Sequence, residues 1–386
     1  MLYHRLRMRR VHKAQIAIGA ALVLFAVAQT NAENRAIAAE KRTRIEAAVT
    51  QFMAANHIPG ISAAVVEDGV EVWSAGFGSA DLENSVPATA HTLYRLASIS
   101  KPITGTAAML LWQQGKLDLD APVQKYCPAF EQKDFPVTTR ELLGHMGGIR
   151  DYKSWTQSDV EYGNTRHFSD TVQGGLEFFK NDPLIYKPGT DFRYTSEGFT
   201  LVGCAIEGAS SEKYVDYERE HVLLTAGMTH TVPDDRFAII PFRARFYSKD
   251  KSGAVINADF LDSSYKIPGG GWLSSADDIA HFEEAMIGDR IVSRSTRELM
   301  WTPQKTADGK QNGYALGWGT GDELGMRDVG HAGGQQGTST FFMIVPERRA
   351  GIVVLMNIDG ADVTSLGVQM MRIVLSLPEP QIPTAK

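Results

Sequence analysis

A chain of 386 residues, 43% hydrophobic and 22% charged, has the composition of an ordinary globular enzyme and ample length for a large core in two lobes or domains. Its formal net charge is −6; without the first 32 residues, which carry five Lys/Arg and no Asp/Glu, 34 basic residues face 45 acidic ones, a net −11. That balance argues against nucleic acid as a partner, because phosphate binding needs clustered cations.

The chain opens on Arg5, Arg7, Arg9, Arg10 and Lys13, followed by an apolar run over 16–28 that is too short to span a bilayer comfortably. Thr30-Asn31-Ala32 then places small residues at its first and third positions. This is the layout of a secretory signal cleaved after Ala32, which predicts an exported protein, periplasmic or secreted. An uncleaved N-terminal membrane anchor is the alternative, and Arg9-Arg10 is only a weak twin-arginine signal.

From 36 to 56 the apolar residues Ile45, Val49, Phe52 and Met53 share one helical face. Residues 60–67 are apolar and β-prone, Asp68-Gly69 marks a tight hairpin, and 70–75 returns as a strand. Pro102 fits an early helical turn, Ala107, Leu110, Leu111 and Trp112 continue that helix, and Gly115 stops it. Over 117–262 loops and helices dominate, with helical pieces at 138–145, 172–179, 199–207 and 214–224. Ser275 reads as the N-cap of a helix reaching 287, with Asp277-Asp278 as first-turn charge rather than metal ligands. Strands follow at 314–318, 327–330, 338–345 and 351–357, and a helix over 363–375 closes the chain. The two ends are therefore expected to share one antiparallel sheet. The middle, about 116–265, forms a mainly helical lobe, and a ligand cleft lies between them. The domain reading is a signal over 1–32 and one α+β catalytic domain over 33–386. Cys127 and Cys204 are the only cysteines. An exported protein pairs such residues, but Cys204 lies in an apolar helical stretch, 201–206, which places a buried thiol ahead of a disulfide.

Four Ser-x-x-Lys matches occur, starting at Ser98, Ser210, Ser248 and Ser263. In a helix, residues three apart share a face, so each match sets a hydroxyl beside an amine that can serve as its base. Ser210 and Ser248 lie in polar stretches, and Ser263 has no clear helix behind it. Only Ser98 opens a buried helix, whose N-terminal field disfavours a protonated Lys101 and favours an oxyanion. No Gly-x-Ser-x-Gly, no His-Glu-x-x-His and no Cys/His cluster is present, so neither a metal nor another cofactor is expected. Tyr194-Thr195-Ser196 precedes an apolar helix. There a phenol can shuttle a proton if a nearby cation lowers its pKa, and Ser196 can hydrogen-bond Lys101. In His331-Ala332-Gly333, followed by Gly334, glycine lets a substrate approach the backbone and offers free N–H groups to an oxyanion. His145, in Leu-Leu-Gly-His-Met-Gly-Gly, reads as structural.

With these residues in place, the chain resembles the class C-like, β-lactamase-related serine hydrolases of the β-lactamase and penicillin-binding protein superfamily. Ser98-Ile99-Ser100-Lys101, Tyr194-Thr195-Ser196 and His331-Ala332-Gly333 stand in that superfamily's order. Stretches such as LASISKPITG, VTTRELLGHMGGIRDY, KPGTDFRYTSEGFTLVG and SSYKIPGGGWLSSADDIAHF extend the likeness over most of 92–357. The resemblance implies a β-lactamase/transpeptidase-like fold. It makes Ser98 the nucleophile, has Lys101 and Tyr194 sharing acid and base duties, and forms the oxyanion hole from the Ser98 and Gly334 N–H groups. Ser196, His331, Gly333 and Gly334 would contact substrate. Two positions depart from the usual pattern: Ser196 replaces an Asn and His331 replaces a Lys. A neutral His grips a carboxylate less well than Lys, so peptides or esters are expected ahead of β-lactams. The alternative is a penicillin-recognising protein or sensor that acylates without turnover.

Overall fold

Asp68 and Gly69 both take positive φ, 54° and 78°, the backbone of a tight hairpin turn. They join strand β1 (Gly60–Glu67) to β2 (Val70–Asp81). The computed structural model describes residues 36–152 and 163–378, so the expected secretory signal and the cleavage expected after Ala32 lie outside the described residues. The chain divides into a short leading unit, Met1–Ala39, and a large one, Glu40–Lys386.

A two-residue strand β3 (Val86–Pro87) follows the hairpin. Four strands from the other end of the chain complete the sheet: β4 (Gly319–Gly321), β5 (Asp328–Gln335), β6 (Thr338–Val345) and β7 (Ala350–Met356). The order is β3-β2-β1-β7-β6-β5-β4, with every neighbouring pair antiparallel. Ala64 of β1 faces Val353 of β7, so the two ends of the chain share one sheet, as the pattern of apolar runs predicted.

The main helices are α1 (Ala39–Asn56), α2 (Ser100–Gln113), α3 (Glu197–Ser210), the single turn α4 (Ile267–Gly270), α5 (Ala276–Ile287) and α6 (Val363–Val374). Side chains alternate across a strand, so β6 can touch a different helix on each face. Phe341 lies against Gly367 of α6, while the Phe342 ring meets Phe282 of α5 at 6.3 Å between centroids. Ser275 caps α5 by accepting the Asp278 N–H at 3.1 Å, as its sequence suggested. Helix α2 is buried from Ser100 to Leu111 and packs on α3 and α4. This density comes from small residues: a side chain at Gly105 would meet Leu316 O at 2.8 Å.

That contact explains a strand that does not form. Residues 314–318 are apolar because they pack on α2, with Leu316 and Trp318 fully buried. Gly317 takes φ 86° there, and the edge strand begins only at Gly319. The helix expected over 214–224 is also broken, into Tyr214–Tyr217, a π turn at Glu218–Leu223 and Leu224–Ala226.

The two cysteines correct another expectation. Cys127 and Cys204 form a disulfide, with Cα atoms 5.4 Å apart. Gly208, one turn beyond Cys204 on α3, has no Cβ; one placed there would fall 1.8 Å from Tyr126 O. That close approach carries Cys127 to the Cys204 face of the helix. Cross-linking residues 77 apart restricts the unfolded chain. Replacing both cysteines by serine should therefore lower stability by about 2–5 kcal/mol in urea unfolding. An unshifted midpoint would contradict the bond's contribution.

Candidate active site

Ser98 sits in a 3-10 turn, Ala97–Ile99, that leads directly into α2. Ala97 has φ 47°, a left-handed conformation that costs a residue with a Cβ about 1 kcal/mol or more. Two hydroxyls of β6 hold this turn in place. Thr338 Oγ1 donates to Arg95 O at 3.0 Å and Thr340 Oγ1 to Leu96 O at 2.9 Å. On β5, a Cβ at Gly333 would lie 2.4 Å from Leu96 O and 3.1 Å from Ser98 N. The glycine was expected to let substrate approach; the structure corrects this, because the nucleophile's own turn occupies that space. Gly334 differs: no atom lies within 4 Å of where its Cβ would be, and it lines the cleft beside Ser98.

Lys101 follows one turn later, wholly buried. Its Nζ lies 3.0 Å from Ser98 Oγ, 3.2 Å from Ser196 Oγ and 2.8 Å from Gly269 O. A neutral amine has two N–H donors and one lone pair. The carbonyl of Gly269 can only accept, so it takes one donor and the Ser196 hydroxyl takes the other. The lone pair is then left for the Ser98 O–H. Burial pushes the Lys101 pKa down to about 7; the Asp151 carboxylate opposes this and the Lys266 charge adds to it.

Tyr194 stands beside this pair, its ring 4.8 Å from Lys101 Nζ. Burial pushes its phenol well above the ordinary tyrosine range, and the nearby Ser98 side chain only partly offsets that. The ring is 38% exposed, so solvent tempers the rise. A lowering by a nearby cation was only the condition attached to its proton shuttling; here the shift is upward, and Tyr194 keeps its proton. The loop is held by residues 145–151. Thr195 N–H donates to His145 Nδ1 at 3.1 Å, Thr195 Oγ1 to Arg150 O at 2.8 Å and Ser196 N–H to Asp151 Oδ1 at 3.0 Å. Ser196 is the residue before α3, yet its hydroxyl caps no helical N–H and so accepts from Lys101.

His331 stands behind this group. Its Nδ1 is 2.5 Å from Ala332 O, which can only accept, so Nδ1 carries the proton and Nε2 accepts the Tyr314 O–H at 2.8 Å. Burial pushes its pKa down to about 3, the Lys101 charge adds to that, and the Ala332 carbonyl opposes it. The ring is 6.1 Å from that of Tyr194. Ser196, Lys266, Gly334 and Gln335 line the cleft beside Ser98, and His331 is not among the lining residues. The imidazole expected to bind substrate thus has both ring nitrogens taken up, by the Ala332 carbonyl and the Tyr314 hydroxyl. His145, also fully buried, packs 4.2 Å from the Tyr194 ring.

The rejected Ser-x-x-Lys matches fall elsewhere, with one partial exception. Ser210 ends α3, and Lys213 pairs with Asp170 at 2.5 Å. Ser248 Oγ donates to Asp359. Lys266, however, enters the cleft, and sequence reasoning missed it together with Asp151 and Gly269. The signal available was the run Gly269-Gly270-Gly271 directly after Lys266. A Cβ at Gly269 would lie 2.9 Å from Ser196 O, so glycine lets α4 close over the site. Among the described residues, no group of three His, Cys, Asp or Glu side chains is placed to hold a metal.

A family model described as Beta-lactamase matches residues 45–371. The human mitochondrial serine beta-lactamase-like protein LACTB is 33% identical over 378 residues, covering 75% of this chain and 69% of the relative. The octameric penicillin-binding protein homologue from Pyrococcus abyssi is 28% identical with a TM-score of 0.76, covering 87% of this chain and 77% of that one. A D-stereospecific amidohydrolase from Streptomyces sp., 23% identical with a TM-score of 0.70 over 84% of this chain and 97% of its own, shares the fold. The chain belongs to the Beta-lactamase family, among the β-lactamase-related serine hydrolases, and has the β-lactamase/transpeptidase-like fold.

The lowered Lys101 pKa gives a pH dependence with a definite sign. Below about 7 the amine is protonated and cannot accept the Ser98 proton; above it the lone pair is free. The rate of Ser98 modification by a fluorophosphonate should rise through about pH 7 and then level off. A rise delayed to about pH 10, the range of an ordinary lysine, would contradict the assigned state of the amine.

Proposed function

We propose that this protein is a serine hydrolase that cleaves amide or ester bonds through an acyl-enzyme on Ser98, with peptides or esters as substrates ahead of β-lactams. The observation that carries the proposal is Lys101 Nζ, 3.0 Å from Ser98 Oγ, with Gly269 O and Ser196 Oγ placed to take its two N–H donors. Ser98 Oγ attacks the carbonyl carbon while its proton passes to the Lys101 lone pair. The negative charge that forms on the carbonyl oxygen is met by the N–H groups of Ser98 and Gly334. Tyr194 gives its proton to the leaving nitrogen or oxygen and recovers one from Lys101, which returns the amine to its free form. Water then attacks the acyl carbon, its proton leaves through the same groups, and Ser98 Oγ departs as a hydroxyl.

The preference for peptides or esters rests on His331. Burial keeps this ring neutral, so the strand carries no cation at that position to hold a β-lactam carboxylate. Export is part of the proposal. The basic and apolar leader supports it, and so does the Cys127–Cys204 bond, a cross-link that persists in oxidising compartments.

Covalent labelling and turnover test this reading together. Ser98→Ala should abolish labelling by a fluorophosphonate. Lys101→Ala and Tyr194→Phe should each lower kcat on p-nitrophenyl esters or peptides by roughly 10²-fold or more. Undiminished labelling of Ser98→Ala would reject the nucleophile. Wild-type acylation by a fluorescent penicillin without release of the label, and no hydrolysis of any ester or peptide tried, would make the protein a binder instead of an enzyme.

A further inference from the structure

Two side chains that border the Ser98 cleft take no part in acyl transfer: Lys266, immediately ahead of α4, and Gln335, the last residue of β5. Both carry N–H donors without acceptors. Lys266 is 8% exposed, and among the described residues no hydrogen bond or ion pair holds its Nζ; the Tyr265 ring lies 5.5 Å from it. Gln335 Nε2 is buried and likewise has no acceptor among the described residues. Helix α4 sets the two together. Its Gly270 N–H donates to Lys266 O at 2.8 Å, and a Cβ on Gly270 would lie 3.6 Å from Gln335 Oε1. Buried donors are nearly always paired, so two orphans on one cleft wall suit an acceptor that arrives from outside the chain.

Strand β5 determines which part of a substrate meets them. Successive strand residues rise about 3.3 Å. Gly333 lies on the nucleophile's turn, where its Cβ would come 3.1 Å from Ser98 N. His331, two residues earlier, stands at the Tyr194 end, with the two rings 6.1 Å apart. Gln335, two residues later, stands at the opposite end. Tyr194 protonates the leaving group, so that group lies toward His331, and the acyl group kept on Ser98 extends toward Gln335 and Lys266.

We propose that Lys266 and Gln335 form an acyl-side subsite for a carboxylate, so that the enzyme selects substrates whose acyl group bears an acidic side chain. The proposal rests on the Ser98 acyl-enzyme reading and adds to it the chemistry of the acyl half. A carboxylate offers two acceptor oxygens, one for each orphan donor. Burial pushes the Lys266 amine down to about 7; Arg95 adds to this, and Asp234 and Asp151 oppose it. Both carboxylates are committed elsewhere: Asp234 pairs with Arg95 at 2.8 Å, and Asp151 Oδ1 accepts the Ser196 N–H. The amine donates N–H in either protonation state. A substrate carboxylate placed against it supplies the missing counter-charge and draws a proton onto it, which a neutral carbonyl does not do.

The test is the rate at which two racemic diphenyl phosphonates label the full protein, one built on N-acetylglutamate and one on its isostere N-acetylglutamine. Ser98 Oγ bonds to phosphorus in each, phenol leaves, and the side chain stays on the acyl side. Wild type should label about tenfold faster or more with the carboxylate probe, and Lys266→Met should lower that ratio by about tenfold. A merely structural role would slow both probes alike and leave the ratio unchanged. That result overturns the proposal, as does a wild-type ratio of one or less, or labelling by a simple alkyl fluorophosphonate but by neither of these probes. Should Lys266→Met not fold, the ratio in Gln335→Leu decides, a fall supporting the proposal and an unchanged value overturning it. If Ser98→Ala labels with the fluorophosphonate as fast as wild type, the nucleophile assignment fails instead, which keeps the two failures apart.

Discussion

The site depends on the burial of one amine. An ordinary lysine at neutral pH is an ammonium ion and no base. Lys101 is suited to be a base because α2 carries it into the interior, where solvation of the charge is lost. The phenol, though partly exposed, shifts in the opposite sense: such burial as it has favours the protonated form of Tyr194. One environment thus sets an amine that can take a proton beside a phenol that can give one, and the nucleophile lies between them.

Holding that arrangement requires rigid supports, and the sheet supplies them. Strands β5 and β6 do not merely form a wall. Thr338 and Thr340 grip the carbonyls just ahead of the strained Ala97, and Gly333 leaves room for the turn to lie on the strand. On the other side, residues 145–151 hold the Tyr194 loop through one imidazole, one carbonyl and one carboxylate. His145 and His331, both uncharged, fill the space behind the phenol without adding charge that would compete with Lys101. Several buried polar residues near the site therefore act on the geometry and the field around Ser98, Lys101 and Tyr194.

Much of this was legible in the sequence because it is local. The Ser98–Lys101 spacing, the Asp68-Gly69 turn and the Ser275 cap each depend on residues within a few positions, and each forms as expected. The shared sheet was legible because apolar strands at the two ends lack other partners. What stayed hidden depends on how distant segments close on each other. Lys266 looked like part of a chance match until the glycines after it brought α4 over Ser196. Cys127 and Cys204 looked independent because the contact that joins them is an approach of backbone to Gly208. The orientation of His331 could not be read from its motif: strand alternation alone does not say that Tyr314 and Ala332 take up both ring nitrogens.

The account turns on where the protons sit around Lys101 Nζ, and neutron diffraction from a deuterium-exchanged crystal held above the pKa of that amine reads them directly. The expected map shows two deuterons on Nζ, directed at Gly269 O and Ser196 Oγ, and the Ser98 hydroxyl deuteron pointing at the nitrogen. Three deuterons on Nζ, with the Ser98 hydroxyl turned elsewhere, would contradict it.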